Sequence, residues 1–433
     1  MLPLRHTPLG DALALLLLAA LSGCASPQPR APLASAPHAA LGESIDADAA
    51  AARALQVSPR VRAAALRLEA AQSRAAAAAL PPDPSIALGL GIPIDGMGGT
   101  GISLSIMQGI GWLLAGDAIR DAAARERDVA ARELVAASVE TAAEARRLVR
   151  TVCAARATTS ATHDALDARG ARASIERALV ELGETNSVEV LRLEREALAA
   201  QLELVDAELE EHELTVSLAS LLSVETLPTL VDAAVGADAV PSAQSLEVIR
   251  ARAAVARAEA MLATADSPLG ADARVGGGVM QDVEDRRTIT GSLEFGLPIF
   301  RRPHELAALR AELLAARAEL AEAERIAALE NDHALVRVKS ARETEELART
   351  AAASAHAARL IAEKAQAVGE RSFADLAEAR LEEADTAIGA AERRIELANA
   401  LAKLESRAIP PHDAAHRTFS DPTSEPTVRG ATP

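Results

Sequence analysis

The sequence predicts a mostly α protein built twice over, in which each of two long helical hairpins is preceded by a pair of membrane-type β-strands. Three observations predict it. The same landmarks recur in the same order at offsets of 186–189 residues. Two very long stretches carry apolar side chains every three or four positions with almost no Gly or Pro. Between the helices, short runs alternate strictly between apolar and small or polar residues.

Composition sets the kind of helix packing. Of 433 residues, 49% are hydrophobic but only 1% aromatic, with no Tyr. Compact cores lean on large side chains, because each aromatic buries ~150–250 Å². A chain rich in Ala, Leu, Glu and Arg instead suits long helices lying close together. The net charge of −17 argues against nucleic acid as a partner, since phosphate binding needs a basic face. It fits both a solvated surface and a cation-conducting channel.

The first segment reads as an address. Arg5 supplies a basic start, and Ala12–Leu21 is an apolar run too short to span a bilayer in the usual ~20 residues. It ends in Leu21-Ser22-Gly23-Cys24, which resembles the lipobox of bacterial lipoproteins. Residues 1–23 are then a lipoprotein signal peptide, and Cys24 is the lipidated N-terminus of the mature chain. No Asp follows Cys24, which by the usual sorting rule implies the outer membrane. Residues 24–45 read as a Pro-, Ala- and Ser-rich linker, and 409–433 as a disordered tail. Cys153 is the remaining cysteine, so no intrachain disulfide is expected.

The duplication divides the remainder into a first repeat, 46–222, a linker, 223–243, and a second repeat, 244–408. SPRVRAAALRLEAAQSRAAAA from Ser58 aligns with SLEVIRARAAVARAEAMLATA from Ser245. SLSIMQGI from Ser103 aligns with SLEFGLPI from Ser292, and GETNSVEVL from Gly183 with GERSFADLA from Gly369. Three landmarks at one spacing indicate tandem repeats. Each repeat runs helix, strand, strand, very long helix, turn, shorter helix.

The strands come first in importance. From Ser85, Ile86, Leu88, Leu90, Ile92 and Ile94 alternate with Ala87, Gly89, Gly91 and Pro93. After the turn DGMGG, Ile102, Leu104 and Ile106 alternate with Ser103 and Ser105. In the second repeat Ala273, Val275 and Val279 alternate with Arg274, Gly276 and Gly278; after DVEDRR come Ile289, Leu293, Phe295 and Leu297. Such runs have the length of tilted strands that cross a bilayer, with one apolar face and one wet face. Four strands cannot close a barrel, whose minimum is about eight, and open edges are not tolerated in lipid. The chain is therefore expected to share its barrel with copies of itself.

The helices give the long dimension. Leu114–Leu182 has no Pro, and at ~1.5 Å per residue it reaches roughly 100 Å; Pro303–Val368 is similar. Each leads to a return helix, near 187–222 and 373–408, of roughly 54 Å. A return helix stacked end to end with a leading helix would cover one long rod.

The ordered duplication, the SPRVRAAALRLEAAQSR motif, the strand hairpins, the LPIF turn at Leu297–Phe300 and the paired Gly-Glu turns resemble the TolC-type outer-membrane efflux proteins, especially their lipoprotein members. The likeness covers about residues 45–408. It implies a homotrimer whose three sets of four strands form a twelve-stranded barrel, continued by a helical α-barrel through the periplasm. It also implies a passive exit duct of a tripartite efflux or type I secretion system, without catalytic residues, cofactor or metal. The implied partners are a periplasmic adaptor, an inner-membrane pump and outer-membrane lipid.

The same resemblance implies roles for the two turns. Gly183 and Asn186, like Gly369 and Ser372, would stand at periplasmic tips where the tunnel closes. Asp375 and Glu378 match the acids that ring the entrance, Arg371 the residue that ties closed tips together, and Glu189 the acid of the neighbouring tip. A plainer reading stands beside this one: Asn186-x-x-Glu189 and Ser372-x-x-Asp375 resemble capping boxes that restart the return helices. Glu378 has no capping role.

Other chemistry is thin. Gly276-Gly277-Gly278 lies within a strand and is not a phosphate loop, and His412 and His416 lie in a Pro-rich tail unsuited to a helical metal pair. Near the strand ends only Phe295, Phe300 and Trp112 could supply an aromatic girdle, and Gly109 stands where the second repeat has Pro298. The alternative readings are a periplasmic adaptor and a structural coiled-coil lipoprotein of the envelope. An adaptor would carry one hairpin flanked by small β domains, and a spacer would need no amphipathic strands.

Overall fold

The computed structural model describes residues 42–91, 101–110, 112–184, 186–231, 245–266, 274–281, 287–294 and 302–407. Cys24 and its leader, the DGMGG turn, residues 282–286, Phe295, Phe300, the LPIF turn and the tail from 408 lie outside the described residues.

From Ser44 onward the chain is mostly helical. Its elements are β1 (Ser44–Ile45), α1 (Ala47–Val57), α2 (Pro59–Ala78), β2 (Ser85–Gly91), β3 (Gly101–Gly109), α3 (Trp112–Glu181), α4 (Ser187–Leu222), β4 (Thr229–Leu230), α5 (Leu246–Asp266), β5 (Arg274–Gln281), β6 (Arg287–Glu294), α6 (Arg302–Ala367) and α7 (Phe373–Glu405). The 70 residues of α3 and 66 of α6 make two rods of roughly 100 Å. In the first repeat the leading helix is broken. Ser58 ends α1 by donating its N–H to the Ala54 carbonyl (2.9 Å), and starts α2 by accepting from the Val61 N–H (3.4 Å). Pro59 follows at the first helical position, where it needs no N–H.

Among the described residues no extensive packing joins the two rods; shorter helices lie between them. Near the strands, α2 packs on α3, α3 on α5, and α5 on α6. Near the turns the order is α4, α3, α7, α6. Ion pairs record the levels. Arg250 of α5 meets Glu133 of α3 (3.0 Å), and Arg252 meets Glu324 of α6 (2.8 Å). Farther along, Glu405 of α7 faces Arg146 (3.5 Å), and Arg407 meets Glu330 (3.1 Å). Thus α5 and α7, 21 and 33 residues long, lie end to end between the rods, and the outer side of α3 is flanked in turn by α2, α1 and α4, with α1 meeting α4. This is the stacking that the unequal helix lengths predict.

Most of the buried apolar side chains are alanines, several fully enclosed, such as Ala145, Ala154 and Ala362 at 0% exposure. Small side chains let helix axes approach closely, so packing rests on backbone proximity more than on large knobs. Where α6 meets α7, Ala334, Val338 and Ala341 interdigitate with Leu397, Ala400, Leu401 and Leu404. Buried hydroxyls on α3 turn back to their own helix: Thr141 donates to the Ala137 carbonyl (2.7 Å) and Thr162 to that of Thr158 (2.9 Å).

The four longer strands form one antiparallel sheet in the order β2-β3-β5-β6. Its register puts Ile86 opposite Ile106, Leu88 opposite Leu104, Leu104 opposite Val279, Val279 opposite Ile289 and Val275 opposite Leu293. Every one of these lies on a single face, because side chains alternate along a strand. The other face carries mainly small and polar residues, Ala87, Ser103, Ser105, Gly276, Gly278, Thr290 and Ser292, together with Met107 and Met280. Here Gly278 is needed: a Cβ would stand 2.8 Å from the Leu104 carbonyl oxygen and 2.9 Å from the Ser105 Cβ. Among the described residues β2 and β6 each have one unpaired edge.

The close approach of helices makes a prediction. Ala145→Leu adds three heavy atoms where there is no free surface, and should cost about 1–3 kcal/mol. A lowered midpoint of thermal unfolding in detergent, followed by circular dichroism, checks it; an unchanged midpoint would contradict the packing described.

Candidate functional site

The two turns GETNSVEVL and GERSFADLA fold into the same geometry. At the end of α3, Gly183 takes φ +80°, its N–H donates to the Val180 carbonyl (3.0 Å), and the Glu184 N–H to that of Leu179 (2.9 Å). At the end of α6, Gly369 takes φ +81°, bonding to Gln366 (2.9 Å), and Glu370 bonds to Ala365 (2.9 Å). Both are Schellman closures, and both need glycine because a Cβ in the left-handed region is strained.

The return helices then start differently. Asn186 caps α4 by accepting from the N–H groups of Val188 (3.0 Å) and Glu189 (3.1 Å). The reciprocal half of a capping box is not made. Glu189 turns instead to Arg192, three residues on, which donates from Nε to both carboxylate oxygens at 3.1 Å and also reaches Glu196. That guanidinium holds the Glu189 carboxyl below its ordinary pKa. The expected box at 186–189 is therefore half a box, because an Arg one helical turn away competes for the acid.

At the second turn the box is complete. The Asp375 N–H donates to the Ser372 hydroxyl (3.1 Å), and the Ser372 N–H donates to the Asp375 carboxylate (3.0 Å). The backbone N–H and hydroxyl of Ser372, with Arg371 nearby, keep Asp375 below the usual carboxylate range. Arg371 and Glu378 are both exposed. Among the described residues Glu378 has no ion-pair partner within the chain, so its carboxylate points to solvent.

Residues that the sequence reading did not single out brace the hairpins behind these tips. Glu383 of α7 is shared between His356 Nδ1 (2.5 Å) and Arg359 Nε (2.5 Å) of α6, and Arg359 also meets Glu363 (2.9 Å). Arg169 of α3 links Glu203 of α4 (3.1 Å) to Asp385 of α7 (3.8 Å), tying one hairpin to the other. Only the three- and four-residue spacing of opposite charges on one helix is visible in sequence; the pairs between helices are not. Among the described residues no three metal-ligating side chains come together, and no helix is long and apolar enough to cross a membrane.

The arrangement of sheet, rods and twin tips has counterparts among solved structures. The Campylobacter jejuni CmeC outer membrane channel superposes with a TM-score of 0.68, at 14% identity, over 86% of this chain and 88% of its own. The outer membrane protein VceC from Vibrio cholerae gives 0.66 at 17% identity, over 84% and 96%. The open state of the Neisseria gonorrhoeae MtrE outer membrane channel gives 0.61 at 16% identity, over 84% and 88%. The chain has the fold of the outer-membrane channels. No protein-family model matches it, and no curated protein sequence does either. Within this channel fold the Gly183 and Gly369 turns are the ends of the two hairpins farthest from the sheet, since α3 and α6 each run the full length between them.

The capping geometry yields a prediction with a sign. Asp375 has a depressed pKa in the fold, so its contribution is present above the unfolded value of about 3.9 and is lost as pH falls through the lower folded value. Protection from hydrogen exchange at the first turn of α7, relative to the intrinsic rate at each pH, should fall below about pH 4 in the native chain but not further in Asp375→Asn. Ser372→Ala should cost about 1 kcal/mol of local protection there. Equal protection in all three would contradict the box.

Proposed function

We propose that this protein is the outer-membrane exit duct of a tripartite efflux or type I secretion system. It acts as a passive homotrimeric channel that lets small molecules or ions leave the cell, without a catalytic cycle. One observation carries the reading: a four-stranded sheet with one mainly apolar face, one face mainly of small and hydroxyl residues, and two open edges, set on helical rods of roughly 100 Å. Open edges in lipid leave backbone groups without partners, and three copies supply the twelve strands of a closed barrel.

The helices support the same closure. Near the tips, α4 and α6 are the two edges of the helical wall. The outer side of α4 carries Val188, Leu191, Leu198, Leu202, Val205, Leu209 and Val216, each more than half exposed, at intervals of three, four or seven residues. The outer side of α6 carries exposed Leu314, Leu329, Val336, Leu347 and Ile361. Two apolar seams on opposite edges suit a contact between the α4 edge of one copy and the α6 edge of the next.

Within this reading Cys24 carries lipid that holds the N-terminus at the outer membrane, and the rods extend into the periplasm. The tips meet a periplasmic adaptor, which connects to an inner-membrane pump. Asp375, Glu378 and Glu189 ring the aperture, with Arg371 beside them, and three copies of each carboxylate around a narrow axis favour cations over anions. The adaptor reading has no support in the sheet, whose apolar face and open edges a single periplasmic hairpin protein does not need.

Four measurements test the proposal. Native mass in detergent should correspond to three copies, and reconstitution into planar bilayers should give cation-preferring conductance. Asp375→Ala with Glu378→Ala should lower the cation/anion permeability ratio; an unchanged ratio removes those residues from the aperture. Cys24→Ala should abolish incorporation of labelled palmitate, and retention of label would exclude the anchor.

A further inference from the structure

In the half of the molecule nearest the sheet the wall has two uncovered edges, α2 on one side and α6 on the other, because α2 packs chiefly on α3 and α6 on α5. Ala64 and Ala71 of α2 are buried toward α3. Residues two positions to either side of them lie about 200° around the helix and face outward. These are Arg62, Leu66, Glu69 and Ser73. On α6 the half-buried Ala323 and Ala327 and the buried Ala334 mark the packed side, which turns Arg325, Leu329 and Asp332 outward. All of these outward residues are exposed. Among the described residues Arg62, Glu69 and Asp332 have no ion-pair partner, and Arg325 is held by Glu322 of its own helix (2.9 Å).

Ion pairs within the chain fix the height of each edge residue. Arg250 and Arg257 of α5 meet Glu133 (3.0 Å) and Glu126 (2.9 Å) of α3. Two residues farther along α5 in each case, Arg252 and Glu259 meet Glu324 (2.8 Å) and Arg317 (3.0 Å) of α6. Glu133 of α3 is therefore level with Ile326 of α6 and, as the two rods run parallel, Glu140 is level with His333. Arg60 of α2 pairs with Glu140. From there α2 runs opposite to α3, its buried Ala64 and Ala71 spaced like the buried Ala137 and Ala130 of α3. Arg62 thus stands at the height of Asp332, and Glu69 at that of Arg325, each to about one residue or ~1.5 Å. Leu66 falls between them, as Leu329 does on α6. Rotation about an axis parallel to the rods preserves these heights.

We infer that in the assembled ring the outward face of α2 in one copy lies along the outward face of α6 in the next, with Arg62 against Asp332 and Glu69 against Arg325. The inference rests on the ring proposed above and adds the contact that sets its register. Toward the sheet, α2 reads basic, apolar, acidic, while α6 at the same heights reads acidic, apolar, basic. The match is reciprocal, so a slip of seven residues is penalised in either direction. One slip sets Glu69 against Asp332 and the other sets Arg62 against Arg325, and like charges in contact repel. Leu66 and Leu329 close the seam between the two pairs.

Cross-linking tests it in the full-length chain, in a Cys153→Ser background. Glu69→Cys with Arg325→Cys, and separately Arg62→Cys with Asp332→Cys, are treated with a short bismaleimide in detergent. Denaturing gels should show cross-linked dimers and trimers that no single-cysteine control gives, and several-fold less from the mismatched Arg62→Cys with Arg325→Cys. Bands as strong from the mismatched pair overturn the register. Absence of bands from both matched pairs, with a native mass of three copies, overturns the contact while leaving the ring intact. A native mass of one copy overturns the ring itself, and the contact with it. Charge is tested separately: Arg62→Asp should lower the temperature at which the assembly dissociates, and Asp332→Arg added to it should recover most of the loss. No recovery would remove Asp332 as the partner.

Discussion

Among the described residues β2 and β6 each present a row of backbone N–H and C=O groups that the chain does not pair, and in hydrocarbon such groups have no water to turn to. The rest of the architecture follows from supplying those partners. A sheet with one continuous apolar face cannot stand alone in water, and one with open edges cannot stand alone in lipid. In the proposed assembly, closure by copies would answer both demands at once. It would then oblige the helices beneath to close as well, because they hang from the same strands.

The helix packing suits such a proposed ring. A ring of rods needs a wall one helix thick, and the alanine-lined contacts of α3 with α7 and α6 with α7 make such a wall from closely spaced backbones. Half-length helices stacked between full-length ones offset the joints, as in masonry, and the ion pairs Arg252–Glu324 and Arg407–Glu330 fix where each joint falls. Exposed pairs of this kind add little stability individually. Their contribution is registry between neighbouring helices of the wall.

The legibility of the molecule in its sequence varied with the range of the interaction involved. The strand alternation at Ile86, Leu88, Ile102 and Leu104, and the boundaries of α4 at Ser187 and Leu222, were readable because local patterning and caps decide them. The break at Ser58 between α1 and α2 was not anticipated, although the Ser-Pro pair signals it, because apolar periodicity continues across it. At the tips, both glycine turns and both caps were visible. The diversion of Glu189 from its cap to Arg192 was a competition between two local partners that spacing alone does not rank.

By itself, then, the sequence determined everything that repeats at short range: the periods of strands and rods, the left-handed glycines, the caps, and, through duplication, the number of hairpins. Tertiary structure alone decided which helices are neighbours and which faces remain uncovered. It placed α5 and α7 between the rods, brought His356 and Arg359 onto Glu383, and left the α2, α4 and α6 edges open. The reason is physical. An Ala-rich helix carries almost equivalent small side chains around much of its circumference, so its period announces a helix without saying which face will meet which partner.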